Sequence, residues 1–111
     1  LIKRRLLIGD NQEVKSIRVV MEVACARFDV ELPALLSKLR DDRTARCRFV
    51  ICWIAREVLG LTTIRTAELI GRDHTSVSYA HKTVGEQSAV DPKFAAALAA
   101  VQLEVKARLK L

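Results

Sequence analysis

Seven consecutive residues, 71–77, bring a glycine, an arginine and four polar side chains together in the order Gly-Arg-Asp-His-Thr-Ser-Val. An aspartate followed by threonine and serine is typical of a helix start, because these side chains accept hydrogen bonds from the unpaired amides of the first turn. The carboxylate of Asp73, the imidazole of His74 and the methyl group of Thr75 can also meet the edges of base pairs. The run therefore predicts a helix that begins near Asp73 and presents its leading end to the major groove of DNA.

The residues around this run predict a helix-turn-helix at about residues 63–86. The spacing favours a short first helix from Thr63 to Ile70 and a second helix that begins just after the glycine turn. Positions that must be small, turning or buried in such a pair hold Ala67, Gly71, Val77 and Ala80. Positions that would face DNA hold Asp73, His74, Thr75 and Tyr79, although Tyr79 has packing on the domain's own surface as its alternative. Two positions that are usually apolar hold Thr66 and Arg72 instead.

A second cluster of basic residues lies where a loop is predicted to join a helix. It comprises Lys38, Arg40, Arg43, Arg46 and Arg48, and it is interrupted by Asp41 and Asp42. Flexible arginines at such a junction can reach a DNA groove, whereas a plain charged helix face would raise affinity without specificity. Both interpretations stay open on the residues alone.

Several motifs in this order resemble the C-terminal DNA-binding domain of the DnaA family of bacterial replication initiators. They are Leu35-Leu36-Ser37-Lys38, the segment 43–48, Ile54-Ala55-Arg56-Glu57 and the run 71–77, so the resemblance covers about Val14 to Lys82. It implies an all-α fold, a compact, Trp-repressor-like bundle of about six helices that contains the helix-turn-helix. It also implies double-stranded DNA as the partner. The chain would be either an excised domain, whose parent ATPase domain lies elsewhere, or a free-standing relative that regulates replication or transcription.

The family resemblance assigns roles to individual side chains. Base reading in the major groove falls to Asp73, His74 and Thr75, with a purely capping role as the alternative for Asp73. Matching residues 45–48 to the family implies that Arg46 enters the minor groove, where A·T-rich sequence attracts arginine. Contacts to the DNA backbone are expected from Arg43, Arg48, Arg72, Ser76 and Lys82, and a solvated side chain is the alternative for Lys82.

The composition favours a helical binding module. Of 111 residues, 50% are hydrophobic and 5% aromatic, which fits one helical domain with a single core. A net charge of +6 predicts a polyanionic partner, and DNA is favoured over RNA because few aromatic side chains could stack on unpaired bases. The alternative function is a helical protein-interaction domain whose basic face binds an acidic partner.

The sequence offers no pattern for catalysis, a cofactor or a metal. It has no GxxxxGK[ST] phosphate loop and no CxxC pair, and it has only two histidines. The three cysteines are expected to be buried thiols in a reducing compartment, and no apolar run approaches the roughly 20 residues that span a bilayer. We therefore expect a cytoplasmic binding protein with no cofactor, no small-molecule substrate and no enzymatic activity.

The predicted elements divide the chain into two parts. Residues 1–10 read as a flexible basic lead-in, and residues 11–111 read as a single domain. A first helix is expected from about Asn11 to Phe28, with an apolar stripe formed by Val14, Ile17, Met21, Ala24 and Phe28. An apolar central helix is expected over 41–60, and Asp91-Pro92 predicts the cap and first position of the last helix.

Overall fold

Six α-helices make up the part of the chain that this computed structural model describes, which is residues 2–37 and 41–111, with side chains over 12–37 and 41–111. In chain order they are α1 (Ile2–Phe28), α2 (Leu32–Leu36), α3 (Asp42–Glu57), α4 (Thr63–Ile70), α5 (His74–Val90) and α6 (Pro92–Leu109). No strand occurs within these ranges, and none of the helices there is long and apolar enough to cross a membrane. The predicted all-α bundle is confirmed.

Helix α3 lies at the centre of the bundle and packs against α1, α2, α4 and α5. Its residues Val50, Ile54 and Ala55 are completely buried. A helix that is covered on several sides must be apolar around most of its circumference, which is the pattern that the sequence shows here. Truncation of a core residue such as Ile54 to alanine would cost about 2–5 kcal/mol.

Helix α1 differs from its prediction in where it begins and in which residues it buries. It begins at Ile2, so the predicted lead-in over residues 1–10 is part of the helix from there onward. Gly9 suggested a break, but one glycine costs a helix only about 1 kcal/mol, which a long helix tolerates. The stripe was also too narrow, because α1 packs against both α3 and α6. It buries Val20 and Val23 in addition to Ile17, whereas Val14 is 41% exposed.

Glycine and aspartate residues set the ends of the helices around the turn. Helix α4 ends at Ile70 and is capped by Gly71, whose φ of 70° and ψ of 36° lie in the left-handed region that glycine adopts without strain. Asp73 caps α5, and Asp91 caps α6 by accepting hydrogen bonds from the amides of Lys93 and Phe94. These bounds put two helices where the sequence predicted the pair, and α5 continues to Val90.

Candidate nucleic-acid interface

The first turn of α5 is exposed, whereas the inner face of the helix just after it is buried. The exposed residues are Asp73, His74, Thr75 and Ser76. One turn further on, Val77 and Ala80 are 0% and 1% exposed, and they pack with Cys52 and Ala67 of the neighbouring helices. The inner face of α5 therefore fixes the helix, while its leading end stays open to a ligand.

Asp73 organises this first turn. Its Oδ1 atom accepts one hydrogen bond from the backbone amide of Ser76 and one from the hydroxyl of Thr75, each 2.7 Å long. The bonds from Thr75 and then Ser76 lower the pKa of Asp73 to about 2, so the carboxylate is charged at neutral pH. The predicted cap is confirmed, and the Thr75 hydroxyl is turned toward it.

Two arginines from different elements converge on one backbone carbonyl. Nη2 of Arg72 lies 2.9 Å from the oxygen of Ser37, and Nη2 of Arg48 lies 2.7 Å from the same atom. Arg48 also donates to the oxygens of Leu35 and Ala34, at 2.8 and 3.3 Å. These oxygens lie at the C-terminal end of α2, where carbonyls have no partner within the helix. Both arginines thus hold α2. The sequence predicted DNA backbone contacts for them and did not predict this structural role.

Arg43 and Arg46 lie inside α3, because that helix already begins at Asp42. Arg46 therefore lies on the helix side of the predicted junction between loop and helix, within the helix expected over 41–60. Its side chain is exposed, with Cζ 5.8 Å from the centre of the Phe94 ring on α6. Arg43 has Nη1 3.6 Å from a carboxylate oxygen of Asp29, in a pair whose side chains are 64% and 97% exposed. Neither contact joins these arginines to the start of α5.

The two aspartates that interrupt the basic segment have a structural reason. Asp41 caps α3, since its carboxylate accepts a hydrogen bond of 3.1 Å from the amide of Thr44. Hydrogen bonds from the side chain and backbone of Thr44 lower the pKa of Asp41. Asp42 occupies the first turn, where the helix dipole favours a negative charge. Of the same segment, Lys38 and Arg40 lie outside the described residues.

The remaining polar residues of α5 divide between the exposed face and the body of the domain. Lys82 is exposed. Tyr79 is 64% exposed, yet its ring meets Phe49 edge to face with 5.9 Å between ring centres, which is the packing role left open by the sequence. Nε2 of His81 lies 2.7 Å from Oε1 of Glu57 and ties α5 to the end of α3. His74 is therefore the histidine available at the exposed end.

An ion pair that the sequence did not predict links α4, the first helix of the helix-turn-helix, to α1. Nε of Arg65 on α4 lies 2.7 Å from Oε1 of Glu13 on α1, and both side chains are partly buried. Residues so far apart in the chain carry no local signal of pairing. Covariation between the two positions is the signal that would have revealed this contact.

The cysteines and acidic residues of the described ranges do not form a metal site. Cys25, Cys47 and Cys52 are buried and free, and burial raises the pKa of Cys52 to about 12. No group of three His, Cys, Asp or Glu side chains comes together in residues 12–37 and 41–111. The exposed start of α5 is the surface that carries the candidate chemistry.

A glycine turn, a capped and exposed helix start, and a buried inner face define a helix-turn-helix domain. A comparison with protein families agrees with this class. The family described as the bacterial dnaA protein helix-turn-helix matches residues 17–84, which is more than half of the chain. The chain belongs to this family.

Individual relatives are replication initiators. The chain is similar to the chromosomal replication initiator protein DnaA of Bacteroides thetaiotaomicron, at 28% identity over 86% of this chain and 21% of that protein. The same-named protein of Nitrosomonas eutropha is 33% identical over 78% of this chain and 19% of its own length. The fold resembles the crystal structure of a DNA replication initiation factor, with a TM-score of 0.83 at 22% identity over 93% of this chain and 32% of that one. The chain thus spans about a fifth of the curated relatives that it matches.

Proposed function

We propose that this chain is a sequence-specific binding domain for double-stranded DNA that acts in the initiation of chromosomal replication or its control. The observation that carries the proposal is the start of α5, where Asp73, His74 and Thr75 are exposed on a helix fixed by Val77 and Ala80. A helix in the major groove reads bases with such a first turn. Membership in the family and the net charge of +6 support the same partner.

The three residues of the first turn read bases through different groups. His74 offers one donor and one acceptor when neutral, and Thr75 offers a methyl group to thymine. Asp73 accepts a hydrogen bond from the exocyclic amine of cytosine or adenine while it caps the helix. A good base contact of this kind discriminates by about 1–3 kcal/mol.

Contacts to phosphates surround this reading turn. Ser76 lies in the first turn, where hydroxyls and helix-terminal amides meet phosphate oxygens, and Lys82 adds a charge further along the same helix. Arg72 spends one nitrogen on Ser37, and its guanidinium has further N–H groups that a phosphate can use. Arg43 reaches a phosphate by releasing Asp29, a largely exposed pair worth little. Arg48 is the weakest of these candidates, since Nε and Nη2 are both engaged on α2.

Arg46 reaches the minor groove only if its guanidinium leaves the Phe94 ring. An exposed cation–π contact is worth about 0.5–1 kcal/mol, which is a small cost for this movement. Insertion of arginine into a narrow A·T-rich minor groove gains electrostatic energy because the potential there is strongly negative. Arg46→Ala should therefore remove a preference for A·T pairs beside the site read by α5, and an unchanged preference would remove Arg46 from the groove.

Selection from random duplexes at about 0.15 M salt tests the proposed function. We expect one enriched motif, and His74→Ala should lose about 1–3 kcal/mol of affinity for it and little for unrelated duplexes. His81→Ala is the matched control, because this histidine lies on the same helix but pairs with Glu57. It should leave the enriched motif unchanged.

The other outcomes of the selection have distinct meanings. Binding without any enriched motif would contradict sequence-specific recognition and leave a general attraction to polyanions. An equal loss for His74→Ala on all duplexes would assign this residue to the DNA backbone. No duplex binding at this salt concentration, together with binding to an acidic protein, would favour the protein-interaction alternative.

A further inference from the structure

We infer that Arg72 and Arg48 are positioning residues that hold the end of α2 beside the start of α5 and thereby set the register between the two. The inference rests on the proposed function in that a fixed register matters for reading DNA. The clamp is defined here as Arg48, Arg72 and the carbonyl of Ser37. Its existence can be tested without DNA.

Both arginines of the clamp bond to the same carbonyl oxygen. Such an oxygen has two lone pairs, and two guanidinium groups approach it at 2.9 and 2.7 Å. Hydrogen bonds from charged donors are shorter and stronger than neutral ones. Ser37 is therefore tied to α3 through Arg48 and to the α4–α5 turn through Arg72.

Helix α2 needs ties of this kind. It has five residues, Leu32–Leu36, and its N-cap residue Glu31 makes no capping hydrogen bond. A helix so short has little stability of its own, so its position depends on what holds it from outside. Arg48 supplies this support through several carbonyls of the last turn, and Arg72 adds the connection to the helix-turn-helix.

Arg72 links Ser37 to the first turn of α5. Its own amide donates to the oxygen of Ala67 at 3.0 Å, so its backbone is fixed to the end of α4. The next residue is Asp73, the cap of α5. In the sequence, the residues after Ser37 include Lys38 and Arg40, and the described structure resumes at Asp41, the cap of α3. The clamp therefore connects the C-terminal end of α2 with the residue that precedes the cap of α5.

The two guanidinium groups repel each other, so their shared position needs other interactions that hold them together. Burial, and the positive charge of Arg72 beside it, lower the pKa of Arg48. The shared carbonyl, the other carbonyls of α2 that bind Arg48 and the negative charge of Asp41 oppose the repulsion between the two guanidiniums. Arg48 and Arg72 line one pocket together with Ser76 and Val77 of α5, so both arginines lie close to the helix that they position.

Amide hydrogen exchange in the DNA-free protein tests the clamp itself. The amide of Ser37 donates to the oxygen of Ala34 at 3.2 Å and should be protected. We expect Arg72→Ala to speed exchange at Ser37 by about tenfold, because a charged hydrogen bond to its carbonyl is lost. Arg108→Ala is the control, since this arginine pairs with Glu22 across α6 and α1 and should leave Ser37 unchanged. Unchanged exchange in Arg72→Ala would overturn the inference, whatever the protein binds.

The ratio of affinities for selected and unrelated duplexes tests what the clamp does. We expect Arg72→Ala to reduce this ratio by about tenfold, and the phosphate contact proposed above for Arg72 would add a reduction of about 1 in the slope of log K against log salt. A slope reduced by about 1 at an unchanged ratio would make Arg72 a phosphate contact only and overturn the positioning role. A general loss of stability would lower both affinities equally and would also count against it.

Arg48→Ala provides an independent arm. It should change the ratio in the same direction, and the double variant should lose less than the sum of the single losses because both act on one carbonyl. If Arg48→Ala fails to fold, Arg72→Lys replaces it. Lysine keeps the charge but lacks the planar fork, so the salt slope should be retained and the ratio only partly restored. Full additivity, or full restoration by lysine, would contradict a shared joint.

Discussion

Two buried threonines are predicted to respond in opposite directions to the same substitution. Thr66 on α4 is 0% exposed and Thr44 on α3 is 4% exposed. The hydroxyl of Thr66 has no hydrogen-bond partner among the residues that the structure describes. The hydroxyl of Thr44 hydrogen bonds to the carboxylate of Asp41 in the cap of α3. The Thr66 hydroxyl therefore lowers the free energy of unfolding, and the Thr44 hydroxyl raises it.

Valine in place of threonine keeps the shape and the branching at Cβ and removes only the hydroxyl. A buried hydroxyl without a partner costs about 1–3 kcal/mol, and helix propensities of threonine and valine are close. Taking the lower end, Thr66→Val should raise the free energy of unfolding by about 1 kcal/mol and the melting temperature by about 4 °C. Thr44→Val should lower the free energy of unfolding by about 1 kcal/mol, because a made hydrogen bond is lost.

Urea unfolding followed by far-ultraviolet circular dichroism measures both effects. The slope of free energy against urea should be the same in both variants and in the wild type, so that shifts of the midpoint report stability. A Thr66→Val variant as destabilised as Thr44→Val would refute the reasoning. It would mean that a partner, such as a buried water, satisfies the Thr66 hydroxyl in solution.

Three further predictions concern the helix-turn-helix. Gly71→Ala should lose about 1 kcal/mol of stability in thermal unfolding, because φ is +70° at this residue. The control is Gly85→Ala, which should gain about 0.5–1 kcal/mol because Gly85 lies within α5 and an added Cβ would meet open space. Equal effects of the two substitutions would contradict the role of the turn. Lys82→Ala should reduce the slope of log K against log salt by about 1, and Lys93→Ala on α6 should not; an unchanged slope would remove Lys82 from the interface. Since hydrogen bonds lower the pKa of Asp73 to about 2, its contribution to stability is complete above about pH 4 and is lost as the pH falls toward 2. The stability difference between the wild type and Asp73→Asn should therefore shrink over that range, and a constant difference would contradict the capping bonds.

The helix ends around the turn could be predicted because their signals are local. A cap such as Asp73 or Asp91 bonds to amides two or three residues away, and Gly71 adopts a backbone conformation that other residues avoid. The beginning of α1 could not be predicted in this way. Gly9 is a weak breaker, and a long helix continues through it when its remaining residues favour the helix.

The contacts of the arginines could not be predicted, because their partners are distant in the chain and some are backbone atoms. Arg48 and Arg72 bond to a carbonyl that any residue type at position 37 would supply. Arg46 meets an aromatic ring on the last helix. The helix expected over 41–60 contained Arg43 and Arg46, but neither its pattern nor the family resemblance showed which groups their side chains contact.

The net charge of +6 predicted a polyanionic partner, but it does not distinguish one basic residue from another. The structure separates them by what they bind. Arg65 and Arg108 lie against Glu13 and Glu22, and each of these pairs adds little to the field outside the domain. A carbonyl, in contrast, is neutral and does not offset the positive charge of the two guanidiniums bound to Ser37, and of the two it is Arg48 that also feels the charge of Asp41. Since the screening length is about 8 Å at physiological salt, the charge of the two guanidiniums acts on DNA only close to where it lies. Under the proposed function, the exposed turn of α5 and the arginines beside it, rather than the basic composition as a whole, would form the DNA interface.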